Sequence, residues 1–344
     1  MTFVEQARAP DPLAGVLDRP APPVSPAAAE VIALRCFGVR GRARALAGER
    51  DRNFHLDGAA GEGSWMLKVI HPDEGPGVTS LQTAALRELA RVDPGVPVPR
   101  VVEPLPGARE RVEVSPSVSC AVRLTTWIEG VPLSESASVG AELGGQLGTV
   151  LGRIDRALEG LRHPAEDHFL VWDTARVLTD DARYAVLVGP HADLAEALDP
   201  VRERLLTGLA DLPRQLIHND LNPHNIIVRE GLIAGVIDVG DLVRGPRVQD
   251  PAIAAAYLID PAQPLDGPAA LLAAYREVVA LSVAEVEAFL DLVLARLGLA
   301  MAISRRRAER HPGNAAYILR NHERARAGLE ALTRRGLHES GWRP

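Results

Sequence analysis

Ile217-His218-Asn219-Asp220-Leu221-Asn222-Pro223-His224-Asn225, then Ile226-Ile227-Val228, the turn Arg229-Glu230-Gly231, and Leu232 to Ile237 leading into Asp238, is the stretch that decides the fold. A polar loop enters an apolar strand, a tight turn and a second strand, which predicts a β-hairpin with the loop at its open end. In an antiparallel hairpin turning at 229–231, the start of one strand lies beside the end of the other, with paired residues roughly 5 Å apart. Asn225 and Asp238 therefore converge at one mouth. Asp220, on the loop before Asn225, points at the same mouth.

An amide oxygen and a carboxylate on a rigid hairpin are hard ligands suited to Mg²⁺, an ion that keeps most of its coordination for water and phosphate oxygens. A free carboxylate beside such an ion is the layout phosphoryl transfer needs, with the metal neutralising charge between phosphates and the carboxylate orienting an attacking hydroxyl. Asp220 is the candidate base. A triphosphate also needs a fixed positive charge on its non-reacting phosphates, and a strand lysine facing the cleft supplies one. The segment Ser64 to Ile70 reads as such a strand, with Lys68 on the same face as Met66 and Ile70. Among 38 lysines and arginines, Lys68 is the only lysine.

The order strand-lysine, H-x-D-x-x-x-x-N (His218 to Asn225) and D-x-G (Asp238-Val239-Gly240) matches a protein-kinase-like signature. His218 is expected to brace the loop by hydrogen bonding rather than to carry protons, because a carboxylate already fills the base role. His224 reads as a loop residue. Asp241 is either near the metal or a solvated or capping carboxylate, and Asp250 an N-cap or a loop brace. The Gly48 to Arg52 turn lacks G-x-G-x-x-G, so it reads equally as a cover for phosphates through its backbone N–H groups and as a plain exposed hairpin.

The 344 residues, 47% hydrophobic and 24% charged, are those of a globular protein with room for one or two cores. The net charge of -7 offers no footprint for a nucleic-acid backbone and suits a neutral or cationic substrate slightly better. Cys36 and Cys120 are far apart and in no metal-ligand spacing, so reduced thiols and a reducing compartment are expected. The N-terminus lacks an apolar signal core, and the most apolar helical run, Leu290 to Ile303, carries Arg296. A cytoplasmic protein with no membrane partner is expected; oligomeric state leaves no mark.

Along the chain, residues 1–30 form a proline-rich leader expected to be poorly ordered, although Ala27 to Phe37 reads as a short helix. Residues 31–126 read as a small β-rich lobe with strands on either side of Gly48 to Asp51, then Ser64 to Ile70, Val101-Val102, Arg111 to Val114 and Cys120 to Trp127. Its main helix is predicted to open on a Thr79/Ser80 cap, to turn Gln82, Ala85, Leu86 and Leu89 inward, and to end at the Pro94, Pro97 and Pro99 cluster. Residues 127–133 read as a hinge and 134–344 as a helical lobe, from Leu143 through Leu158, Leu194 to Leu209 and Ala269 onward. The fold class is α+β, two-lobed, with an antiparallel β N-lobe and a larger, mostly α-helical C-lobe.

Taken with Glu49-Arg50-Asp51-Arg52-Asn53-Phe54, Met66-Leu67-Lys68, Leu81 to Leu86, Val98-Pro99-Arg100 and Arg123 to Trp127, the catalytic motifs resemble the aminoglycoside phosphotransferase and choline kinase superfamily. The N-lobe phrases look most like its hydroxylysine-kinase-type branch. The resemblance implies a kinase fold with ATP or GTP in the cleft, Asp220 as catalytic base, and Asn225 with Asp238 on Mg²⁺. It places Lys68 on the phosphates, Thr125, Thr126 and Trp127 near the nucleotide base, and Arg50, Asp51 and Gln82 around the nucleotide. Kinases usually carry a glutamate on the N-lobe helix to pair the lysine; the matching position here is Gln82, so Lys68 is expected to be held by a neutral acceptor. Pro251 also stands where an apolar residue is usual, within a helix turn that tolerates it.

The expected function is transfer of the γ-phosphate of ATP or GTP to a hydroxyl of a small acceptor. Amino alcohols including hydroxylysine come first, then choline-like and aminoglycoside hydroxyls. The acceptor site has no mechanism-bearing spacing; Trp172-Asp173 and Arg305 to Arg307 are candidates. The alternatives are a nucleotide-binding pseudokinase, motivated by Gln82, an aminoglycoside-type antibiotic phosphotransferase, and metal-dependent hydrolysis. A protein kinase is disfavoured because the interval from Asp238 to Asp250 leaves no room for a long activation segment.

Overall fold

A computed structural model describes residues 21–48, 50–59, 61–109, 111–136, 141–319 and 322–334, and all but the last residues of the leader lie outside them. Helix α1 (Pro26–Phe37) begins inside the segment drawn as leader, because Ser25 accepts from Ala28 N at 3.2 Å and proline suits the first turn. Strands β1 (Arg42–Ala45), β2 (Arg52–Asp57), β3 (Ser64–Val69), β4 (Arg111–Ser115) and β5 (Val118–Thr126) form an antiparallel sheet in the order β1-β2-β3-β5-β4. Lys68 on β3 lies opposite Asn53 on β2 and Arg123 on β5. Phe54, Leu56, Leu67, Val69 and Leu124 pack with Ala29 and Ala33 of α1 into the N-lobe core.

Helix α2 (Pro76–Val92) crosses from this sheet to the larger lobe and buries Gln82, Ala85, Leu86 and Leu89, the predicted inward stripe, together with Leu81. Its start corrects the sequence reading. Gly75 is the N-cap and Pro76 occupies the first turn, so Thr79 and Ser80 lie inside the helix with no capping role. Val101 makes only an isolated bridge to Thr125, so Val101-Val102 is not a strand.

The hinge is not a loose linker. Strand β6 (Val131–Pro132) pairs with β8 (Ile226–Arg229), whose hairpin partner is β9 (Leu232–Val236). Gly130 makes this approach possible: its φ is +143°, and a Cβ there would meet Val228 O at 2.5 Å. The hairpin turns on Glu230 and Gly231, both at positive φ.

The C-lobe adds α3 (Ala141–Leu158), α4 (Thr174–Thr179), α5 (Asp181–Leu187) and α6 (Ala192–Leu206), then β7 (Arg214–Ile217) paired with β10 (Val243–Pro246). It ends in α7 (Gln249–Ala256), α8 (Asp266–Arg276), α9 (Val283–Arg310), α10 (Ala315–Ile318) and α11 (His322–Arg334). Helices α3 and α8 meet backbone to backbone along Gly144, Gly148 and Gly152; a Cβ on Gly148 would sit 2.1 Å from Leu271 O. One core joins α2, α3 and the hairpin, and another surrounds α9. Among the described residues no helix is long and apolar enough to cross a membrane.

Candidate active site

The loop between β7 and β8 is fixed from beneath. Asp250, fully buried at the start of α7, accepts from the backbone N–H groups of His218 (2.7 Å) and Asn219 (2.8 Å). It is thus a loop brace and not the N-cap, which is Val248. Gln249 adds a bond from Nε2 to Asn219 Oδ1 at 2.9 Å, holding Asn219 at a φ of 64°. His218 Nε2 lies 3.2 Å from Ile237 O, and Asp220 N donates to Nδ1 at 3.4 Å. That pattern puts the proton on Nε2 and makes the ring a strut between loop and hairpin. His224 Nδ1 meets Ser134 Oγ at 3.0 Å, and both residues line the cleft.

Asp220 Oδ2 accepts from Asn222 Nδ2 and Asn225 Nδ2, each at 2.9 Å, while Oδ1 accepts from Arg296 Nη2 at 3.1 Å. Burial raises its pKa, against the opposing pull of the Arg296 guanidinium. The Asn225 amide thus turns its nitrogen to Asp220, which leaves its oxygen as the group for a cation. Ile237 N donates to Asn225 O at 2.9 Å, closing the hairpin's open end just before Asp238.

Asp238 sits at a φ of 60°, and its Oδ1 accepts from Lys68 Nζ at 2.9 Å and Gly240 N at 3.2 Å. The Lys68 ammonium holds this carboxyl below the ordinary carboxylate range. Its side chain is 44% exposed, so the carboxylate still faces the cleft. Burial and the neighbouring Asp220 and Asp238 push Asp241, which also lines the cleft, up to about 8. Among the described residues no group of three or more His, Cys, Asp and Glu is placed to hold an ion by itself. One amide oxygen and one carboxylate fit an ion that relies on water and phosphate for the rest of its shell.

Lys68 is held differently from expectation. Burial disfavours its charge, but Asp238 and then Asp51, at 2.9 and 3.4 Å, override this and raise its pKa. Gln82 turns elsewhere, its Nε2 donating to Gly240 O at 3.1 Å and its Oε1 accepting from Arg123 Nη2 at 2.8 Å. The neutral acceptor expected for Lys68 is therefore replaced by two carboxylates. Gln82 instead satisfies a buried guanidinium whose pKa desolvation lowers to about 10. Arg50 and Asp51 line the cleft, yet both are tied to the segment after β3, through Glu74 Oε2 (2.7 Å) and His71 N (2.9 Å). Glu49, in the same turn, lies outside the described residues.

Thr125, Thr126 and Trp127 are not among the residues lining the cleft. Thr125 is buried in the sheet opposite Met66, Thr126 Oγ1 accepts from Arg100 N at 2.9 Å, and the Trp127 ring lies 4.2 Å from that of His55.

Beyond Asp220 the cleft, about 470 Å³ in all, continues along a wall of the C-lobe lined by Trp172, Tyr257, Arg296, Ser304, Arg307 and His322. Asp173 instead caps α4, Arg305 pairs with Asp193 at 2.8 Å, and Arg306 reaches Val186 O at 3.5 Å. Arg296 escaped sequence reasoning as a site residue. The signal was present, because a lone arginine in an apolar helical run needs a buried partner.

Residues 42–285 match the Phosphotransferase enzyme family. The chain belongs to this family. It is 27% identical over 217 residues to a hydroxylysine kinase of Mus musculus and 25% identical over 218 residues to one of Bos taurus, covering 58% of this chain and 57% of each relative. The chain thus matches less than two thirds of those relatives' length. Among solved structures, a microcompartment-associated aminopropanol kinase superposes with a TM-score of 0.63 and 23% identity, over 87% of this chain and 98% of that one. An amicoumacin kinase in complex with AMP-PNP, Ca²⁺ and Ami gives 0.60 and 16%, over 82% and 87%. These structures share the two-lobed fold.

Proposed function

We propose that this phosphotransferase-family chain is a Mg²⁺-dependent small-molecule kinase that moves the γ-phosphate of ATP or GTP to a hydroxyl of a small hydroxy-amine such as hydroxylysine. One observation carries the reading: Lys68 of the N-lobe and Asp238 of the hairpin meet at 2.9 Å, at the mouth where a base candidate shares a hydrogen bond with Asn225. Asp220 would orient the acceptor hydroxyl and take its proton, while Lys68 offsets charge on the non-reacting phosphates. Asn225 and Asp238 would hold Mg²⁺, which supplies further charge neutralisation between phosphates when bound. His218 and Asp250 keep the loop in register.

Hydroxylysine is favoured over an aminoglycoside by the C-lobe wall. Among the described residues lining it, from Phe169 to Trp172 and from Ala256 to Ala325, there is no carboxylate, whereas Arg307, Arg324 and His322 are present. An amino acid could present its carboxylate to those cationic side chains, a group that an aminoglycoside lacks. The pseudokinase alternative loses its motive, since Lys68 has carboxylate partners despite Gln82. The test is an acceptor screen with ATP-Mg²⁺ and with GTP-Mg²⁺, following nucleotide consumption against an acceptor-free control. Acceptor-dependent turnover with hydroxylysine supports the reading; nucleotide binding without turnover on every acceptor would favour the pseudokinase.

A further inference from the structure

We infer that Asp51, on the turn before β2, is the positioning partner of Lys68, in the role that a carboxylate on the N-lobe helix would otherwise fill; this rests on the nucleotide-binding reading above. The carboxylate is aimed by its surroundings. Its Oδ1 accepts from His71 N at 2.9 Å, which leaves Oδ2 facing Lys68 Nζ at 3.4 Å. The neighbouring Arg50 reaches Glu74 at 2.7 Å, so the turn is fastened at two successive residues to the chain between β3 and α2.

The helix cannot supply this partner. Gln82 is neutral and both ends of its amide are engaged, by Arg123 and by Gly240. Arg123 also stands directly opposite Lys68 in the sheet register, so a second buried cation repels the ammonium. Two neighbouring cations need two anions, and among the described residues Asp51 and Asp238 are the carboxylates that reach Lys68. Asp238 is also the residue proposed to hold Mg²⁺. Once metal engages it, Asp51 is the carboxylate left to aim Lys68 and to tether the turn over the phosphates.

Calorimetric titration of the full chain with AMP-PNP and Mg²⁺ tests this on the wild type, Asp51→Asn, Asp51→Glu, Lys68→Met and the Lys68→Met/Asp51→Asn double variant. The expected result is about tenfold weaker binding for Asp51→Asn, since Lys68 keeps its charge and loses only the group that aims it. Asp51→Glu is expected to recover part of the loss, and Asp51→Asn to add nothing in the Lys68→Met background. Unchanged or tighter binding by Asp51→Asn overturns the inference, as do losses that multiply in the double variant. A wild type that binds no nucleotide overturns the nucleotide reading itself, and this inference with it.

Discussion

Asp220 receives three side-chain donors, from Asn222, Asn225 and Arg296, so its orientation is fixed before any acceptor arrives. If it is the base, Asp220→Ala is expected to lower kcat by about 10²–10⁴-fold while nucleotide binding persists, to be read by turnover and titration calorimetry side by side. Arg296→Met bears on the same carboxylate. Burial raises its pKa and the guanidinium lowers it, so removing the guanidinium raises it further. A base works only when deprotonated, so the acid limb of the kcat/KM profile is expected to move to higher pH, with activity falling away sooner as pH drops. Lys68→Arg is expected to raise the nucleotide KM, because the broader, forked guanidinium does not fit a buried pocket built for a point charge between Asp51 and Asp238. Convergence of Asp220, Asn225 and Asp238 was legible because they lie within nineteen residues of one hairpin. Partners distant in sequence were not: Asp220 with Arg296, 76 positions on, and Lys68 with Asp238, 170 positions on, meet only through folding.

Among the elements, helix periodicity served well where burial was one-sided. The inward stripe of α2 was readable because Gln82, Ala85, Leu86 and Leu89 repeat at helical spacing. Its start was misplaced because Thr79 and Ser80 resemble a cap, while Pro76 already provides the φ that begins a helix. The α3–α8 contact was invisible to such patterns. Leucines on α3 mark its apolar face, but the closest approach is made by glycines, which carry no hydropathy signal at all. Gly148→Ala is expected to destabilise the chain by about 2–4 kcal/mol, since the added methyl must displace the backbone around Leu271 rather than a side chain; chemical denaturation measures it.

For the whole molecule, two lobes and the cleft between them followed from strands giving way to helices near residue 130, a change of periodicity that needs no tertiary information. The charge that matters to a ligand did not follow from totals. A net charge of -7 suggested a cationic or neutral substrate, whereas arginines and a histidine stand on the C-lobe wall of the cleft. Because nucleotide with metal would bridge Lys68 to the hairpin, ATP-Mg²⁺ is expected to stabilise the chain by about 2.7 kcal/mol at a hundredfold excess over Kd, and ATP with chelator by much less. Thermal-shift curves at matched ionic strength measure the difference. The short pairing of Val131-Pro132 with β8 bears on how the lobes swing. With residues 131–132 zipped to the strand that begins one residue after Asn225, a pivot between the lobes would lie upstream of Gly130, and the crossbar below it would travel as one piece with the hairpin proposed to hold Mg²⁺. Lobe opening would then change the gap between Lys68 and Asp238 while leaving Asp220, Asn225 and Asp238 in step, so the proposed catalytic half would stay assembled as ligands load and leave.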